Sequence, residues 1–343
     1  MKTKDSRLLI ISHTEHYLNE NGEACGWIPT VRELDFLASH FKEIIHLAVL
    51  HHGEPPQSTT TYKANNIKFV HISPFGGPGI LNKFKILTAV PNLLFKLNKA
   101  LSNADLFQFR APTSIGLFII PFLSLFSSKK GWYKYAGNWI QPNMPKSYHI
   151  QKMMLEKWQK RTVTINGRWS NQKSHIETFE NPCLSANELP KFKNLGSRKS
   201  YDLPFEACFV GRLEDAKGVH RIVELLLTPG IENLIGTFHF VGSGDKMITY
   251  QKQLEGSKVK TIFHGFLGRD ETFNIYAICH LFLLPSDSEG FPKVIAEAAS
   301  FGVVPIVSDV SSIGQYISTT NGFLWDIDTD FGSFVDSIDL SPE

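Results

Sequence analysis

Short, uninterrupted apolar segments alternate with amphipathic segments in two separate parts of the chain, and this alternation constrains the fold most. Residues 7–11 and 44–50 are continuous apolar runs of strand length, and residues 30–41 between them repeat apolar side chains at helical spacing. Continuous apolar runs of this length are typical of parallel strands covered on both faces. The pattern predicts a strand–helix–strand unit, the building block of a doubly wound α/β sheet.

The pattern continues through the first half of the chain and then starts again after an aperiodic stretch at 182–204. The other predicted elements of the first half are a polar loop containing Gly22 and Gly26, strands at 67–72, 106–109 and 162–166, and a buried helix at 115–127. Those of the second half are strands at 205–210, 237–241, 260–263, 281–285 and 303–307, and helices at 218–228 and 292–301. The sequence therefore predicts an N-terminal Rossmann-like domain at 1–185, a linker at 186–204 and a C-terminal Rossmann-like domain at 205–343.

Composition and cysteine spacing narrow the class of protein. Of the 343 residues, 42% are hydrophobic and 20% are charged, which is ordinary for a soluble globular protein. The cysteines, Cys25, Cys183, Cys208 and Cys279, are widely separated, which argues against a zinc site and a disulfide framework and favours the cytoplasm. The N-terminal apolar run is too short for a signal peptide, and the longest apolar stretch, 115–126, is too short for a membrane span.

The charge is distributed unevenly between the two predicted domains. Residues 1–185 contain 22 basic and 12 acidic residues, whereas residues 186–343 contain 13 basic and 21 acidic residues. Attraction of the basic half to an anionic membrane or a phosphate-bearing acceptor is one interpretation. The other is that the lysines only keep the first domain soluble.

Two loops combine charged side chains with a strand-to-helix turn. In the segment 209–218, Gly211 follows a predicted strand, and Arg212 and Lys217 precede a helix, where they could neutralise a diphosphate. In the segment 285–298, Glu289 lies in the loop before a helix and Glu297 lies more than one turn inside it. The helix N-terminus offers N–H groups to an anion, and the two carboxylates could hold sugar or ribose hydroxyls. Each motif alone is also compatible with ordinary solvated loop and helix residues.

A third segment excludes other nucleotide enzymes. Residues 238–245 run from a strand into Gly-Ser-Gly, but the third glycine of the dinucleotide fingerprint is absent. This disfavours an oxidoreductase. The Gly-x-x-x-x-Gly-Lys-Ser/Thr pattern of P-loop enzymes is also absent from the sequence.

Taken in order, the motifs of the second half resemble glycosyltransferase family 4, the glycosyl transferases of group 1. The resemblance is carried by Gly-Arg-x4-Lys-Gly at 211–218, Phe-Val-Gly-Ser-Gly at 240–244, Phe-His-Gly-Phe-Leu at 263–267, Glu-x7-Glu at 289–297, Gly-Val-Val-Pro-Ile-Val at 302–307 and Asn-Gly-Phe-Leu at 321–324. It is strong over residues 205–326 and weak over the first 185. The resemblance implies the α/β GT-B fold, in which two Rossmann-like domains face each other across a cleft.

The resemblance also implies roles for matching residues. Arg212 and Lys217 match the pair that binds the donor diphosphate, Glu289 matches the glutamate near the donor sugar, and Glu297 matches the glutamate that holds the ribose hydroxyls. Arg212, Lys217 and Glu289 are thus the predicted catalytic residues. Further predicted donor contacts are Gly290, Phe291, Lys293 and Val294 near the phosphates or sugar, Gly265, Phe266 and Leu267 near the base, and, by a looser match, Gly26 near the phosphates. Asn138 and Trp139 are predicted on the acceptor side.

Members of this family retain the anomeric configuration and need no essential metal or cofactor. The resemblance therefore implies same-face attack on a nucleotide-diphosphate sugar, with the leaving phosphate accepting the acceptor's proton. A glycan or lipid-linked acceptor of surface polysaccharide synthesis is expected, and no nucleic acid. Family members usually continue with a helix that crosses back to the first domain, whereas this sequence ends at Glu343. A truncated C-terminal domain and a domain without that helix are the two interpretations.

Three other functions fit the same fold. A sugar-nucleotide epimerase would turn over the donor without an acceptor. A phosphorylase would need a pyridoxal phosphate lysine and a far longer chain. A non-catalytic sugar-nucleotide-binding protein would not require Arg212, Lys217, Glu289 and Glu297 together.

Overall fold

The computed structural model describes residues 3–74, 80–180 and 183–328, with the backbone alone at 80–88. The chain divides into two compact units, each with its own β-sheet. The first unit contains residues up to Ile165 and Trp169–Phe179. The second contains Asn166–Arg168 and the chain from Glu180 onward.

The first unit is built on a mainly parallel sheet. Its strands are β1 Arg7–Leu18, β2 Ala24–Trp27, β3 Glu43–Leu50, β4 Thr59–Thr61, β5 Ile67–Ile72, β6 Leu106–Ala111, β7 Lys130–Tyr135, β8 Val163–Ile165 and β9 Ile176–Thr178. Its helices are α1 Ile28–Ala38, α2 Ile80–Ser102, α3 Gly116–Phe126 and α4 Lys146–Met153, which continues as a π-helical segment Met154–Trp158. The parallel strands have the order β5-β3-β1-β6-β7-β8-β9, and β2 and β4 extend the sheet antiparallel from the end of β1.

Helices cover both faces of this sheet. The apolar faces of α2, α3 and the π-helical segment pack with Phe107, Phe109 and Tyr133 of the central strands in one large core. On the opposite face, α1 packs over a smaller apolar cluster that includes Leu8 and Ile44. Within the described ranges, no helix is long and apolar enough to cross a membrane.

The second unit contains a parallel sheet of six strands in its described part. These are β10 Phe205–Val210, β11 Ile235–Val241, β12 Lys260–Gly265, β13 Leu281–Leu284, β14 Val304–Ser308 and β15 Phe323–Trp325. The helices are α5 Leu189–Gly196, α6 Val219–Leu226, α7 Met247–Gln253, α8 Arg269–Ile278 and α9 Lys293–Ser300. The strand order is β12-β11-β10-β13-β14-β15. The order reverses between β10 and β13, and ligands of such sheets bind outside the strand ends at this switch point.

The predicted polar loop around Gly22 and Gly26 is wrong in part, because residues 24–27 form strand β2. Strand β1 also runs seven residues past the predicted end at residue 11, through a register shift between Ile11 and Glu15. Gly26 pairs with His16, and a Cβ atom at Gly26 would lie 2.3 Å from the His16 ring. The bare glycine thus lets the imidazole pack flat against the strand.

The predicted linker at 186–204 is part of the second unit instead of a connection between two domains. It contains α5, whose Phe192 is buried in that unit's core and stacks on Phe301 at 4.4 Å. The hydroxyl of Tyr201 donates to the carbonyl of Gly302 at 2.5 Å. The chain changes unit earlier, at Phe179 to Glu180, so the predicted boundary at 185 is displaced by a few residues.

Candidate active site

The loops that follow β10 and β13 meet at the switch point of the second sheet. Gly218 ends the first loop with φ of 72°, and a Cβ atom there would lie 1.8 Å from the carbonyl oxygen of Pro285. The N–H of Asp287 donates to the carbonyl of Ala216 at 3.1 Å. These contacts fix the predicted segments 209–218 and 285–298 against each other, although they are separated by about 70 residues.

Lys217 and Glu289 form an ion pair between these two loops. Lys217 Nζ lies 2.6 Å from Glu289 Oε1, and the hydroxyl of Ser286 donates to the same oxygen at 2.9 Å. The side chain of Glu289 is 9% exposed and that of Lys217 is 24% exposed. The ammonium therefore keeps N–H donors for a ligand while the carboxylate holds it in position. Two residues predicted independently from the sequence are thus brought into direct contact.

Arg212 lies in the same loop but has a different environment. Its side chain is 75% exposed and pairs with Glu214 at 3.0 Å. Exposed ion pairs hold a side chain weakly, so Arg212 is free to reorient toward an anion. Its role in diphosphate binding stays a prediction.

Sequence reasoning missed Arg221, which holds the second loop from α6. Its guanidinium donates to the carbonyl of Pro285 at 3.0 Å and pairs with Asp287 at 2.8 Å. Arg221 lies in the first turn of α6, directly after the loop that carries Lys217, and both cations contact the same second loop. A further cation at the start of this helix is the signal that could have found it.

The turn at Ser286–Gly290 is also held from β14 and the turn that follows it. The hydroxyl of Ser308 donates to the carbonyl of Ser286 at 2.7 Å, and that of Ser312 donates to the carbonyl of Gly290 at 3.2 Å. Both serines are buried. Phe291, predicted near the phosphates, packs edge-on against Tyr316 at 4.8 Å. The loop ahead of α9 is therefore rigid before any ligand arrives.

Helix α9 begins at this rigid turn and supplies an uncapped N-terminus. Pro292 is its N-cap, and among the described residues no side chain caps the helix. The first-turn residues Lys293 and Val294 are half-buried, so their backbone lies near the surface where an anion would enter. Geometry and dipole both favour a phosphate at this position.

Glu297 lies in the second turn of α9 and is half-buried. Its negative charge contributes, after burial, to raising the pKa of Cys183 to about 11 and to raising the pKa of Tyr276. The sequence left two positions open for Glu297, solvent and the ligand side. Its role on ribose hydroxyls stays a prediction.

The Gly-Ser-Gly turn after β11 closes the other side of the loop at 211–213. A Cβ atom at Gly242 would lie 1.9 Å from the carbonyl oxygen of Gly211, and one at Gly244 would lie 2.3 Å from that of Leu213. The N–H of Leu213 donates to the carbonyl of Ser243 at 3.0 Å. Both glycines are therefore required by the close approach of two backbones.

The predicted base-binding segment follows β12. Gly265 has φ of 68° and open space where a side chain would be, and Phe266 and Leu267 are half-buried. The preceding residue, His264, accepts or donates a hydrogen bond to His239 at 2.9 Å, and His239 also bonds Glu206 at 2.9 Å. Burial, followed by His239, lowers the pKa of His264. The base contact stays a prediction.

In the first unit, the predicted site residues are enclosed by protein contacts. Asn138 is buried and its Oδ1 accepts the N–H of Ile140 at 3.0 Å. Trp139 is buried edge-on against Tyr135 at 4.9 Å, with the Lys152 ammonium 4.9 Å above its ring. Gly26 lies in β2 over His16. The acceptor-side role of Asn138 and Trp139 and the phosphate role of Gly26 stay predictions.

A buried hydrogen-bonded chain of side chains lies next to Gly26. The hydroxyl of Tyr62 lies 2.7 Å from both His16 Nε2 and His46 Nδ1, and His46 Nε2 lies 2.8 Å from the Ser12 hydroxyl. Burial lowers the pKa of His16 to about 4 and lowers the pKa of His46 well below its ordinary value. Both imidazoles are therefore neutral at pH 7.

The two-sheet architecture matches the GT-B fold. The crystal structure of Anabaena HepE in complex with UDP-glucose has a TM-score of 0.63 to this chain, with 14% identity over 97% of this chain and 89% of that one. A likeness at this identity carries the fold alone. The α/β fold class predicted from the sequence is thereby confirmed.

The sequence comparisons match mainly the second unit. Residues 192–340 match the family model "Glycosyl transferases group 1". The O-antigen biosynthesis glycosyltransferase WbnH of Escherichia coli is 28% identical over 153 residues, 45% of this chain and 42% of that protein. The alpha-galactosylglucosyldiacylglycerol synthase of Streptococcus pneumoniae is 34% identical over 101 residues, 29% of this chain and 27% of that protein. The chain thus spans less than half the length of these relatives, and its second unit resembles the group 1 glycosyl transferases.

Proposed function

We propose that this protein is a retaining glycosyltransferase of family 4 that transfers a sugar from a nucleotide-diphosphate sugar to a glycan or lipid-linked acceptor. The observation that carries the proposal is the Lys217–Glu289 pair, held between two rigid loops beside the uncapped start of α9. A lysine and a helix N-terminus together suit a departing diphosphate. The resemblance to group 1 glycosyl transferases and the UDP-glucose bound by HepE support a sugar nucleotide as donor.

In this proposal, each residue has one role. Lys217 and the first N–H groups of α9 stabilise the negative charge that develops on the leaving diphosphate. Glu289 orients Lys217, and Arg212 approaches the phosphates from the solvent side. Glu297 binds the ribose hydroxyls, and the base lies along the segment 265–267. No essential metal is required, because these cations and dipoles carry the charge.

The relatives also favour an acceptor class. WbnH is an O-antigen biosynthesis glycosyltransferase and the pneumococcal relative is a glycolipid synthase. Both names support an acceptor of surface polysaccharide or glycoconjugate synthesis. We place the protein in the cytoplasm, since its four cysteines are free and such thiols persist in reducing compartments.

A thermal-shift panel of UDP-, GDP- and ADP-sugars, with and without EDTA, tests the proposal. One class of nucleotide should raise the melting temperature of the second unit by several degrees, since saturation at 100 times Kd stabilises by about 2.7 kcal/mol. EDTA should not reduce the shift. NMR of the product should show the donor's anomeric configuration. Stabilisation by no nucleoside diphosphate would overturn the proposal, and an inverted product would overturn its retaining mechanism.

A further inference from the structure

Three polar side chains form a hydrogen-bonded chain across β10, β11 and β12 in the second sheet. Oε2 of Glu206 lies 2.9 Å from Nε2 of His239, and Nδ1 of His239 lies 2.9 Å from Nε2 of His264. The two imidazole rings stack with an interplanar angle of 10°. The chain thus connects a carboxylate near the beginning of β10 with a residue at the carboxyl end of β12.

Strand β12 is irregular at His264. The register between β11 and β12 shifts by one residue between Phe240 and Val241, which leaves His264 as an extra residue of β12. Extra residues of this kind redirect a side chain and are frequent beside active sites. His264 is half-buried and directly precedes the segment 265–267, which the proposed function assigns to the base of the donor. Its ring therefore lies where a base could contact it.

The carboxylate of Glu206 determines which ring nitrogens carry protons. An ionised carboxylate only accepts hydrogen bonds, so Nε2 of His239 donates to it. A neutral imidazole has one N–H and one lone pair, so Nδ1 of His239 accepts and Nε2 of His264 donates to it. The lone pair of His264 is consequently on Nδ1. The opposite order would direct a ring lone pair of His239 at the carboxylate.

Nδ1 of His264 is available to a ligand. Within the ranges that the structure describes, no residue forms a hydrogen bond with this nitrogen. Burial, followed by the neighbouring His239, lowers the pKa of His264, so the ring is neutral at pH 7. The second unit thus holds a hydrogen-bond acceptor of fixed orientation beside the segment 265–267.

The four common bases differ in what they offer to such an acceptor. Uracil has a ring N–H at N3 and guanine has one at N1, each beside a carbonyl group. Cytosine and adenine have a ring nitrogen with a lone pair at the corresponding positions, and this lone pair would repel that of His264. A site built to bond an N–H rejects an analogue without it, because its own polar group is then left unpaired.

We infer that His264 determines base specificity by accepting the ring N–H of uracil or guanine, so that the donor is a UDP-sugar or a GDP-sugar. Glu206 and His239 are positioning residues, since they act on the base only through the proton on His264. The inference rests on the proposed donor site and adds to it the chemical class of the base.

Calorimetry at about pH 8, above the ordinary imidazole pKa of about 6.5, tests the inference. The ligands are UDP, GDP, ADP, CDP, N3-methyl-UDP and N1-methyl-GDP. UDP or GDP should bind at least about tenfold more tightly than its own methylated form, and more tightly than ADP and CDP. Methylation removes the ring N–H, so the two methylated nucleotides show which of the two bases the site takes.

Variants separate the contact from the proton order behind it. His264→Phe should reduce the preference for the unmethylated nucleotide to less than about threefold. Glu206→Gln should reduce it in part, because an amide can donate as well as accept and no longer fixes the ring protons. Lys260→Gln, an exposed change on β12, and Glu224→Gln, an exposed change on α6, should keep the full preference.

NMR of the ring nitrogens in the nucleotide-free protein measures the proton order without any ligand. In the parent chain, the 15N shifts should show a proton on Nε2 of His264 and none on Nδ1, and Glu206→Gln should give a mixture. A proton on Nδ1, equal affinity for methylated and unmethylated nucleotides, or tightest binding of ADP or CDP would overturn the inference and leave the proposed function standing. Absence of binding by all six nucleotides would overturn both.

Discussion

The ion pair between Lys217 and Glu289 can be removed by substituting either residue, and we expect the two substitutions to lower the free energy of unfolding by different amounts. Lys217→Met leaves a carboxylate that is 9% exposed, with the Ser286 hydroxyl still on one of its oxygens. Glu289→Gln leaves an ammonium that is 24% exposed and can reach water. A buried charge without its counter-ion is costly, so the lysine variant should be the less stable of the two.

The exposed fractions of the two side chains determine how much each substitution should lower the free energy of unfolding. A fully exposed pair contributes about 0.2–1 kcal/mol, whereas breaking a buried pair costs about 3–5 kcal/mol. This pair lies between the limits, so Lys217→Met should lower the free energy of unfolding of the second unit by about 2 kcal/mol, and Glu289→Gln by about 1 kcal/mol. The double variant should be more stable than the sum predicts by about 1 kcal/mol.

Catalysis should respond more strongly than stability. One charge-assisted hydrogen bond to the departing diphosphate contributes about 1.5–3 kcal/mol, which is one to two powers of ten in kcat/KM. Lys217→Met should therefore lower kcat/KM for sugar transfer by 10- to 100-fold. Glu289→Gln should act through the misplaced lysine, so the double variant should be little worse than Lys217→Met alone.

Urea unfolding of the four proteins in the cycle, with kcat/KM for each, provides the assay. The exposed pair between Lys246 and Asp215, whose side chains are 50% and 49% exposed, is the matched stability control. Lys246→Met should cost less than about 1 kcal/mol. Additive stability effects within about 0.5 kcal/mol would refute the coupling, and full activity in Lys217→Met would refute the role on phosphate.

Three further perturbations test other parts of the structure. Gly218→Ala should destabilise the second unit by at least about 2 kcal/mol in urea unfolding, because φ is 72° and the Cβ would meet the Pro285 carbonyl at 1.8 Å. Glu297→Gln should weaken donor binding about tenfold in calorimetry. It should also shift alkylation of Cys183 to lower pH, because the Glu297 charge contributes to that thiol's raised pKa. The first unit should lose about 3 kcal/mol of stability as the pH falls from about 6.5 to about 4, because burial lowers the pKa of His16 to about 4 and the unfolded state then binds more protons.

Each of the two substitutions has a matched control. Gly256→Ala adds a Cβ in open space at ordinary φ and should change stability by less than about 0.5 kcal/mol. Glu224→Gln, an exposed change on α6, should leave donor affinity and Cys183 alkylation unchanged. Equal losses of stability in Gly218→Ala and Gly256→Ala would contradict the argument about Gly218. An unchanged pH profile of Cys183 alkylation in Glu297→Gln would contradict the argument about Glu297, and a first unit whose stability does not depend on pH would contradict the argument about His16.

Local pattern was sufficient for some of the regular elements of both units. The predicted strands at 67–72 and 205–210 match β5 and β10 residue for residue, and the predicted helix at 115–127 matches α3 within one residue at each end. A parallel strand that is buried on both faces, such as β10, is nearly continuous in apolar residues, so its bounds are visible in the sequence. In the edge strand β5, the exposed Lys68 and His71 interrupt the apolar residues. The sequence did not predict β2 and β4, short strands that extend β1. It also did not predict the strands β7, β9 and β15 or the helices α2, α4, α5, α7 and α8.

In the candidate site, too, some residues could be predicted from the sequence and others could not. Lys217, Glu289 and the start of α9 were predicted from loop chemistry, since a glycine turn, a helix-start proline and charged side chains are local signals. Arg221 and the two loop-holding serines, Ser308 and Ser312, were missed. Their hydrogen bonds go to backbone carbonyls of a loop that is distant in sequence, and no local pattern encodes such an acceptor.

By itself, the sequence determined which residues lie at strand ends and which charges those ends carry, because burial and helical periodicity are written in neighbouring residues. Only the tertiary structure decided that Lys217 contacts Glu289, 72 residues away. It also decided that Gly218 and Gly242 lie where two backbones approach too closely for a side chain. The physical reason is strand order: β13 inserts beside β10 instead of beside β12, so loops remote in sequence share one edge.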